Sequence, residues 1–178
     1  MNADQDITDS SRPASSLDTL KALHARQGEL CDMMESLADK LPSAQRAACL
    51  EAAWAATTII GPLHALEETC FFPLLQQRLA SAPHIQVSID RSLQEHAEDR
   101  DATLEIVGSL KRLADGCARP EIDPISYQLR AFFVGLRRHQ ARELEVFFPV
   151  ALKVFTAEDQ FVLEEALSRG FGGEIKQR

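Results

Sequence analysis

The sequence predicts an all-α protein, an up-down-up-down four-helix bundle followed by a short fifth helix at the C-terminal end. Apolar residues recur at helical spacing along nearly the whole of the 178 residues. No segment alternates apolar and polar residues with β-branched enrichment over the length of a strand. The helical segments are separated by short breaks, and long helices joined by short loops pack antiparallel to one another.

The first helix is predicted from its capping residues. It begins at Ser15 or Ser16, where Asp18 is placed to complete a capping box, and it ends at about Lys40, before Pro42. Five residues share its inward face: Leu17, Leu20, His24, Cys31 and Met34.

The second helix is predicted from about Ser43 to about Leu79, with a kink at Pro62, because proline removes a backbone donor. Its predicted buried stripe consists of Leu50, Trp54, Ile60, His64, Glu68, Phe71 and Leu75. Ser81, Ala82 and Pro83 then interrupt the pattern.

The third helix is predicted from about Ile85 to Ala114, where Asp115 and Gly116 end it. Its inward side carries Ile89, Leu93, His96, Leu104 and Val107. A loop follows from Arg119-Pro120 through Asp123-Pro124, and the fourth helix runs from about Pro124 to Val154. A near-heptad repeat marks its buried face: Leu129, Phe132, Leu136, His139, Glu143, Val146 or Phe147, and Val150.

The last element is predicted to follow Thr156 as N-cap, with Asp159 three residues later, and to end at Gly170. The resulting organisation is a disordered leader at 1–14, a single bundle domain at 15–170 and a flexible tail at 171–178. A chain of this length is typical of one domain.

Charge and composition exclude several classes of protein. The formal net charge of -8 has the wrong sign for binding a phosphate backbone, so no nucleic-acid partner is expected. The longest nearly uncharged stretch, Ala52 to Leu66, is too short and too polar for a bilayer-spanning helix, and the N-terminus lacks a secretory signal, which predicts a cytoplasmic protein. The four cysteines have no CxxC spacing and are predicted to be buried thiols, with Cys117 the most exposed.

The positions of the histidines are the most informative feature. Four of the five histidines fall one to each long helix, while His84 lies in a loop. His64 and His139 are each followed four residues later by a glutamate, Glu68 and Glu143, and such pairs project from the same helix face. Imidazoles and carboxylates in a bundle core are costly without partners, and metal ions supply them.

This donor set suits iron or manganese, while zinc and copper are also compatible with histidine. Two carboxylates can each bridge two ions, which favours a dinuclear site over a single ion. At any one position a histidine on an apolar face is more often a hydrogen-bonded core residue than a ligand. The joint pattern on four helices favours the metal site.

A similarity between the second and fourth helices supports this interpretation. LHALEETCFFPLL and RHQARELEVFFPVA both place a histidine, then acidic residues, then Phe-Phe-Pro, although His64 lies nine residues before Pro73 and His139 ten before Pro149. With His24 and the segment EHAED that contains His96, these motifs resemble the hemerythrin-like proteins, the HHE cation-binding family. The resemblance covers about residues 20–155.

The resemblance implies a non-haem di-iron centre inside a four-helix bundle, often with an oxo or hydroxo bridge. It implies His24 and His64 on one iron, His96 and His139 on the other, and bridging by Glu68 and Glu143, with Glu67 as the alternative to Glu68. Where the third helix of the oxygen-carrying hemerythrins has HxxxH, this chain has His96 followed by Arg100. Asp99 or water would replace the missing ligand, and Arg100 would pair with a bridging carboxylate or reach solvent.

The leading hypothesis is a protein that binds or senses O2, iron or reactive oxygen or nitrogen species through about two iron ions per chain, without a committed substrate turnover. Its expected partner is O2, another small diatomic molecule or peroxide. One alternative is a peroxidase or NO-handling enzyme on the same scaffold. The other is a metal-free helical interaction module.

Overall fold

A computed structural model describes residues 15–116 and 119–175 of the chain. Within them there are helices and no β-strand. The elements are α1 (Ser16–Lys40), α2 (Arg46–Leu66), α3 (Phe72–Arg78), α4 (Pro83–Ala114), α5 (Arg119–Arg142), α6 (Phe148–Val154) and α7 (Ala157–Ile175). Two π-helical turns connect α2 to α3 (Glu67–Phe71) and α5 to α6 (Glu143–Phe147). The predicted leader at 1–14 and the predicted exposure of Cys117 lie outside the described residues.

Four long helical segments form the predicted bundle. They are α1, α2 continued by α3, α4, and α5 continued by α6. Both α1 and α4 pack against α2 and α5. The start of α2 lies beside the end of α4, because Arg46 donates to the Ala114 carbonyl at 3.2 Å, so these neighbours run antiparallel. The all-α bundle prediction is therefore confirmed.

The fifth helix, α7, packs against α1, α2 and the first π turn. Its predicted cap is confirmed: Thr156 N–H donates to Asp159 Oδ2 at 2.7 Å, and Asp159 N–H donates back to Thr156 Oγ1 at 3.3 Å. The predicted end at Gly170 is wrong, since the helix continues to Ile175. Phe171 is only 5% exposed and belongs to an apolar cluster, which holds the chain in helix past the glycine, so residues 171–175 of the predicted flexible tail are helical.

Two helix starts precede the predicted ones. Helix α4 begins at Pro83, and α5 begins at Arg119 inside the predicted loop. Proline is tolerated in the first turn of a helix, where its missing N–H would have no intrahelical partner, so Pro83 and Pro120 mark beginnings and not breaks. At Pro62 the chain stays α-helical, and the change in helical geometry comes at Glu67–Phe71.

Three residues predicted in buried stripes lie at the surface: Leu50, Trp54 and Leu104, which are 39%, 62% and 74% exposed. The inward face of the first half of α2 is instead formed by small residues, namely Cys49, Ala52, Ala53 and Ala56, while Ile60 is buried as predicted. Small side chains allow close helix packing, and a pattern search based on large apolar residues misses them. In the part of α4 that follows Leu104, the buried apolar positions include Ile106 and Leu110, so the inward face is displaced from Leu104.

The core is divided into two apolar clusters along the bundle axis. One contains Leu30 to Ala38 of α1 and the neighbouring parts of α2, α4 and α5. The other contains Leu17 to Leu23, Leu63 to Leu75, the start of α4, Phe147 and Phe148. His24 lies between the two along α1, and His64, His96 and His139 occupy the same level of the bundle. His84, predicted in a loop, lies instead in the first turn of α4, which begins at Pro83. No helix within the described residues has both the length and the apolar character needed to cross a bilayer.

Candidate metal centre

The two similar sequence segments fold into the same local structure. In each, a glutamate begins a π-helical turn, and Phe-Phe-Pro ends it and begins the next α-helix. The Phe72 N–H donates to the Glu67 carbonyl and the Phe148 N–H to the Glu143 carbonyl, five residues back in both cases. Pro73 and Pro149 lack the N–H of an α-helical hydrogen bond, and the wider turn accommodates them. Each π turn starts at a buried carboxylate.

Six buried side chains form two groups of potential metal ligands. His64, His96 and His139 make one group, and His24, Glu67 and Glu143 make the other. Within each group the ligand atoms lie within 4.8 Å of one another. Within the first group, the stacked rings of His64 and His96 have centroids 3.9 Å apart and the rings of His96 and His139 are 4.8 Å apart. The two groups adjoin, since Glu67 Oε2 of the second group lies 3.4 Å from His96 Nε2 of the first.

The two glutamates connect the groups. Glu67 places Oε1 2.9 Å from His24 Nε2 and Oε2 3.4 Å from His96 Nε2. Glu143 places Oε2 3.9 Å from His24 Nδ1 and Oε1 3.0 Å from His139 Nε2. Each carboxylate therefore directs one oxygen to each group, which is the arrangement that a bridging carboxylate needs.

Many of these buried atoms lack hydrogen-bond partners. Both ring nitrogens of His24 and of His64, both oxygens of Glu67 and His96 Nε2 are without one among the described residues. His24 Nε2 and Glu67 Oε1 are close, but they are not aligned as donor and acceptor. Nitrogen and oxygen atoms that approach closely without hydrogen-bond alignment can both ligate a metal ion placed between them. These residues therefore fit a metal ion.

A family model for the hemerythrin HHE cation-binding domain matches residues 15–151. The chain belongs to this family. The match includes all four histidines and both carboxylates of the two ligand groups. No curated protein and no solved structure matches the chain. Membership of the hemerythrin family and the buried histidine and glutamate groups together support metal binding in a helical domain.

The structure places the predicted site residues differently in two respects. His64 lies with His96 and His139, whereas the prediction paired it with His24 and left His96 and His139 to the other ion. Glu67 is fully buried in the ligand cluster, while the Glu68 side chain is 27% exposed and outside it. A signal for Glu67 was available, because Glu67 and Glu143 each lie four residues before Phe-Phe-Pro.

Within this hemerythrin-like site, burial and neighbouring charges act on the pKa of each group. Burial, with the rings of His96 and His139, lowers the pKa of His64 to about 2. Burial acts in the same direction at His139, but hydrogen bonds to Asp99 and Glu143 outweigh it and raise its pKa to about 10. Burial and the nearby Glu143 raise the pKa of Glu67. A neutral His64 is the form that can bind a cation.

Asp99 and Arg100 take positions on the outer side of the cluster. The Asp99 carboxylate pairs with His139 Nδ1 at 2.8 Å and is not in either ligand group. Arg100 donates to Glu68 Oε1 at 2.6 Å, and its side chain is 48% exposed. Arg100 thus pairs with the glutamate that was predicted to bridge, while also reaching solvent.

Proposed function

We propose that this hemerythrin-family chain is a non-haem di-iron protein that binds or senses O2, iron or reactive oxygen or nitrogen species. Two buried ligand groups share two carboxylates, and that observation carries the proposal. His64, His96 and His139 would hold one iron, and His24 the other. Glu67 and Glu143 would bridge the pair.

Bound iron would supply one-electron redox chemistry and a coordination position for a small ligand. The chain's own residues fix the donor atoms and keep water away. Phe72 stacks on His96 with ring centroids 5.6 Å apart, and Phe148 meets His24 edge-on at 5.3 Å. Both phenylalanines are buried, so the donor atoms lie in an apolar enclosure that restricts access.

The two ligand groups contain unequal numbers of histidines, three against one. A metal ion held at the position next to His24 would have fewer histidine ligands, which would leave more of its coordination shell for an external molecule. This inequality favours a second candidate, peroxide or NO turnover at that position. Steady-state consumption of peroxide or NO by fully loaded protein, at a rate above that of free iron, would support the enzyme; a rate equal to free iron would exclude it.

The metal-free interaction module is disfavoured by the same geometry. It would leave four buried imidazoles and two buried carboxylates together without a cation, with most of the donor atoms unpartnered.

A paired substitution tests the metal site. We expect His139→Ala to lower the iron content of protein purified from iron-replete cells from about two ions per chain to one or fewer. His84→Ala is the matched control, because His84 is an exposed histidine at the start of α4, outside both ligand groups. Less than one metal ion in the unsubstituted protein, or equal metal content in the two variants, would contradict the proposal.

A further inference from the structure

Two carboxylates outside the ligand groups contact the outer nitrogens of two histidines. Glu68 Oε1 lies 2.9 Å from His96 Nδ1, and Asp99 Oδ2 lies 2.8 Å from His139 Nδ1. Both contacts join one long helical segment to the next, since Glu68 follows α2 and contacts α4, while Asp99 lies on α4 and contacts α5. The arrangement therefore repeats around two adjacent sides of the bundle.

The other nitrogen of each ring faces the shared carboxylates. His96 Nε2 is 3.4 Å from Glu67 Oε2 and 3.4 Å from Glu143 Oε1. His139 Nε2 is 3.0 Å from Glu143 Oε1. A neutral imidazole carries one N–H and one lone pair, so an acceptor at Nδ1 selects the tautomer whose lone pair is on Nε2.

We propose that Glu68 and Asp99 are positioning residues: each accepts the Nδ1–H of one histidine and so directs Nε2 of that ring at the metal. This inference rests on the proposed metal centre and deepens it. Carboxylates that hold metal-bound histidines in this way fix ring orientation and raise ligand basicity. The proposal also gives Asp99 a role other than that of a metal ligand in place of the missing histidine of the third helix.

The surroundings of Glu68 and Asp99 agree with an outer role. Their side chains are 27% and 15% exposed, in contrast to the side chains of Glu67 and Glu143 at 1% and 2%. Arg100 holds Glu68 Oε1 from the solvent side at 2.6 Å, which fixes the carboxylate in place. His64 has no hydrogen-bond partner at either ring nitrogen among the described residues. The proposed positioning by an outer carboxylate therefore applies to His96 and His139.

Substitutions at Asp99 test the proposal, with Zn²⁺ as a diamagnetic probe. We expect Asp99→Ala to lower zinc affinity, measured by competition with a chelator, by roughly 10- to 100-fold. Asp99→Asn should recover most of the affinity, because the amide oxygen still accepts from Nδ1–H. Asp101→Ala removes the same charge from an exposed position two residues away on α4 and should change the affinity less than about twofold.

Nitrogen NMR of the zinc-loaded protein labelled at histidine supplies a readout that loss of stability alone would not change. We expect protonated Nδ1 and metal-bound Nε2 for both His96 and His139, and we expect Asp99→Ala to shift the Nδ1 signal of His139 and leave that of His96. Glu68→Ala should do the reverse.

The outcomes separate the two proposals. Unsubstituted protein that binds no zinc and no iron would overturn the metal centre and the positioning role together. Metal-loaded protein in which His96 or His139 binds through Nδ1, or in which Asp99→Ala and Asp101→Ala have equal affinity, would overturn only the positioning role. If Asp99→Ala proves unfolded, the spectrum of the unsubstituted protein and the Asp99→Asn variant decide the question.

Discussion

Glu67 and Glu68 are adjacent residues with different environments. Glu67 is fully buried between His24 and His96, whereas Glu68 is partly exposed between His96 and Arg100. Both are glutamates within one π-helical turn, so residue type does not distinguish them. Their proposed roles, bridging for Glu67 and positioning for Glu68, are assigned from the contacts and the burial of each side chain. A comparison of the two in otherwise identical protein tests that assignment.

We expect Glu67→Gln to reduce the iron bound at saturation from about two ions per chain to one or fewer, because an amide lacks the charge and the second oxygen of a bridging carboxylate. Glu68→Gln, which removes the same charge one residue later, should retain about two ions, since its amide oxygen still accepts from His96. Elemental analysis after gel filtration measures both. Equal loss in the two variants, or loss only in Glu68→Gln, would refute the assignment.

The sequence could predict most of this site, and the part that it missed has a physical reason. His24, His64, His96, His139 and Glu143 follow from helical spacing alone, because each is on an inward face. Counting forward from His64 at α-helical spacing led to Glu68. The π turn that begins at Glu67 is not α-helical, and alignment on Phe-Phe-Pro would have selected Glu67.

At the level of elements, α7 shows how caps and an ion pair fix a helix to the bundle. Asp159 is 3% exposed, accepts from Thr156, and receives both Nε and Nη2 of Arg78 at 2.8 and 2.9 Å. The hydrogen bond from Arg78, with those from Thr156, holds the pKa of Asp159 below its usual value. These contacts tie the start of α7 to the end of α3.

We expect Asp159→Asn to lower the free energy of unfolding by about 1–2 kcal/mol at pH 7, through loss of the charged cap and the ion pair. Because the folded pKa is below the unfolded one, the contribution is present above the unfolded pKa and is lost as pH falls through the folded pKa. Urea denaturation of both proteins from pH 7 to pH 3 measures this. A difference that stays constant or grows towards acid pH would contradict the account.

Helix existence and caps were predictable because they depend on local chemistry. The capping box of Ser15 and Asp18 and the cap at Thr156 were both readable in the sequence. The inward face of the first half of α2 was not, because alanines 52, 53 and 56 carry little hydrophobic signal and pack through close helix contact. Tertiary contacts also determined the helical state past Gly170, which no local signal indicates.

For the whole molecule, the polar layer of histidines and glutamates separates two apolar clusters. Without a cation this layer brings together buried groups that oppose one another's charge, as the raised pKa of Glu67 and the lowered pKa of His64 indicate. Metal binding would offset the free-energy cost of burying these groups, and it would do so only in the folded state. Stability and metal binding are therefore expected to be coupled.

We expect removal of metal by a chelator to lower the midpoint of thermal unfolding, and iron or zinc at 100 times its dissociation constant to restore about 2.7 kcal/mol. For a chain of this size that corresponds to roughly 5–10 °C. Calorimetry with and without metal measures the shift, and His139→Ala should reduce it. A metal-free protein as stable and as helical as the loaded one would support the interaction module in place of a metal protein.

The most direct test of the dinuclear centre is anomalous diffraction from crystals of the iron-loaded protein. We expect two iron peaks in the layer between the apolar clusters, one beside His64, His96 and His139 and one beside His24, with Glu67 and Glu143 between them. A single peak in this layer, or iron only at surface residues, would contradict the account.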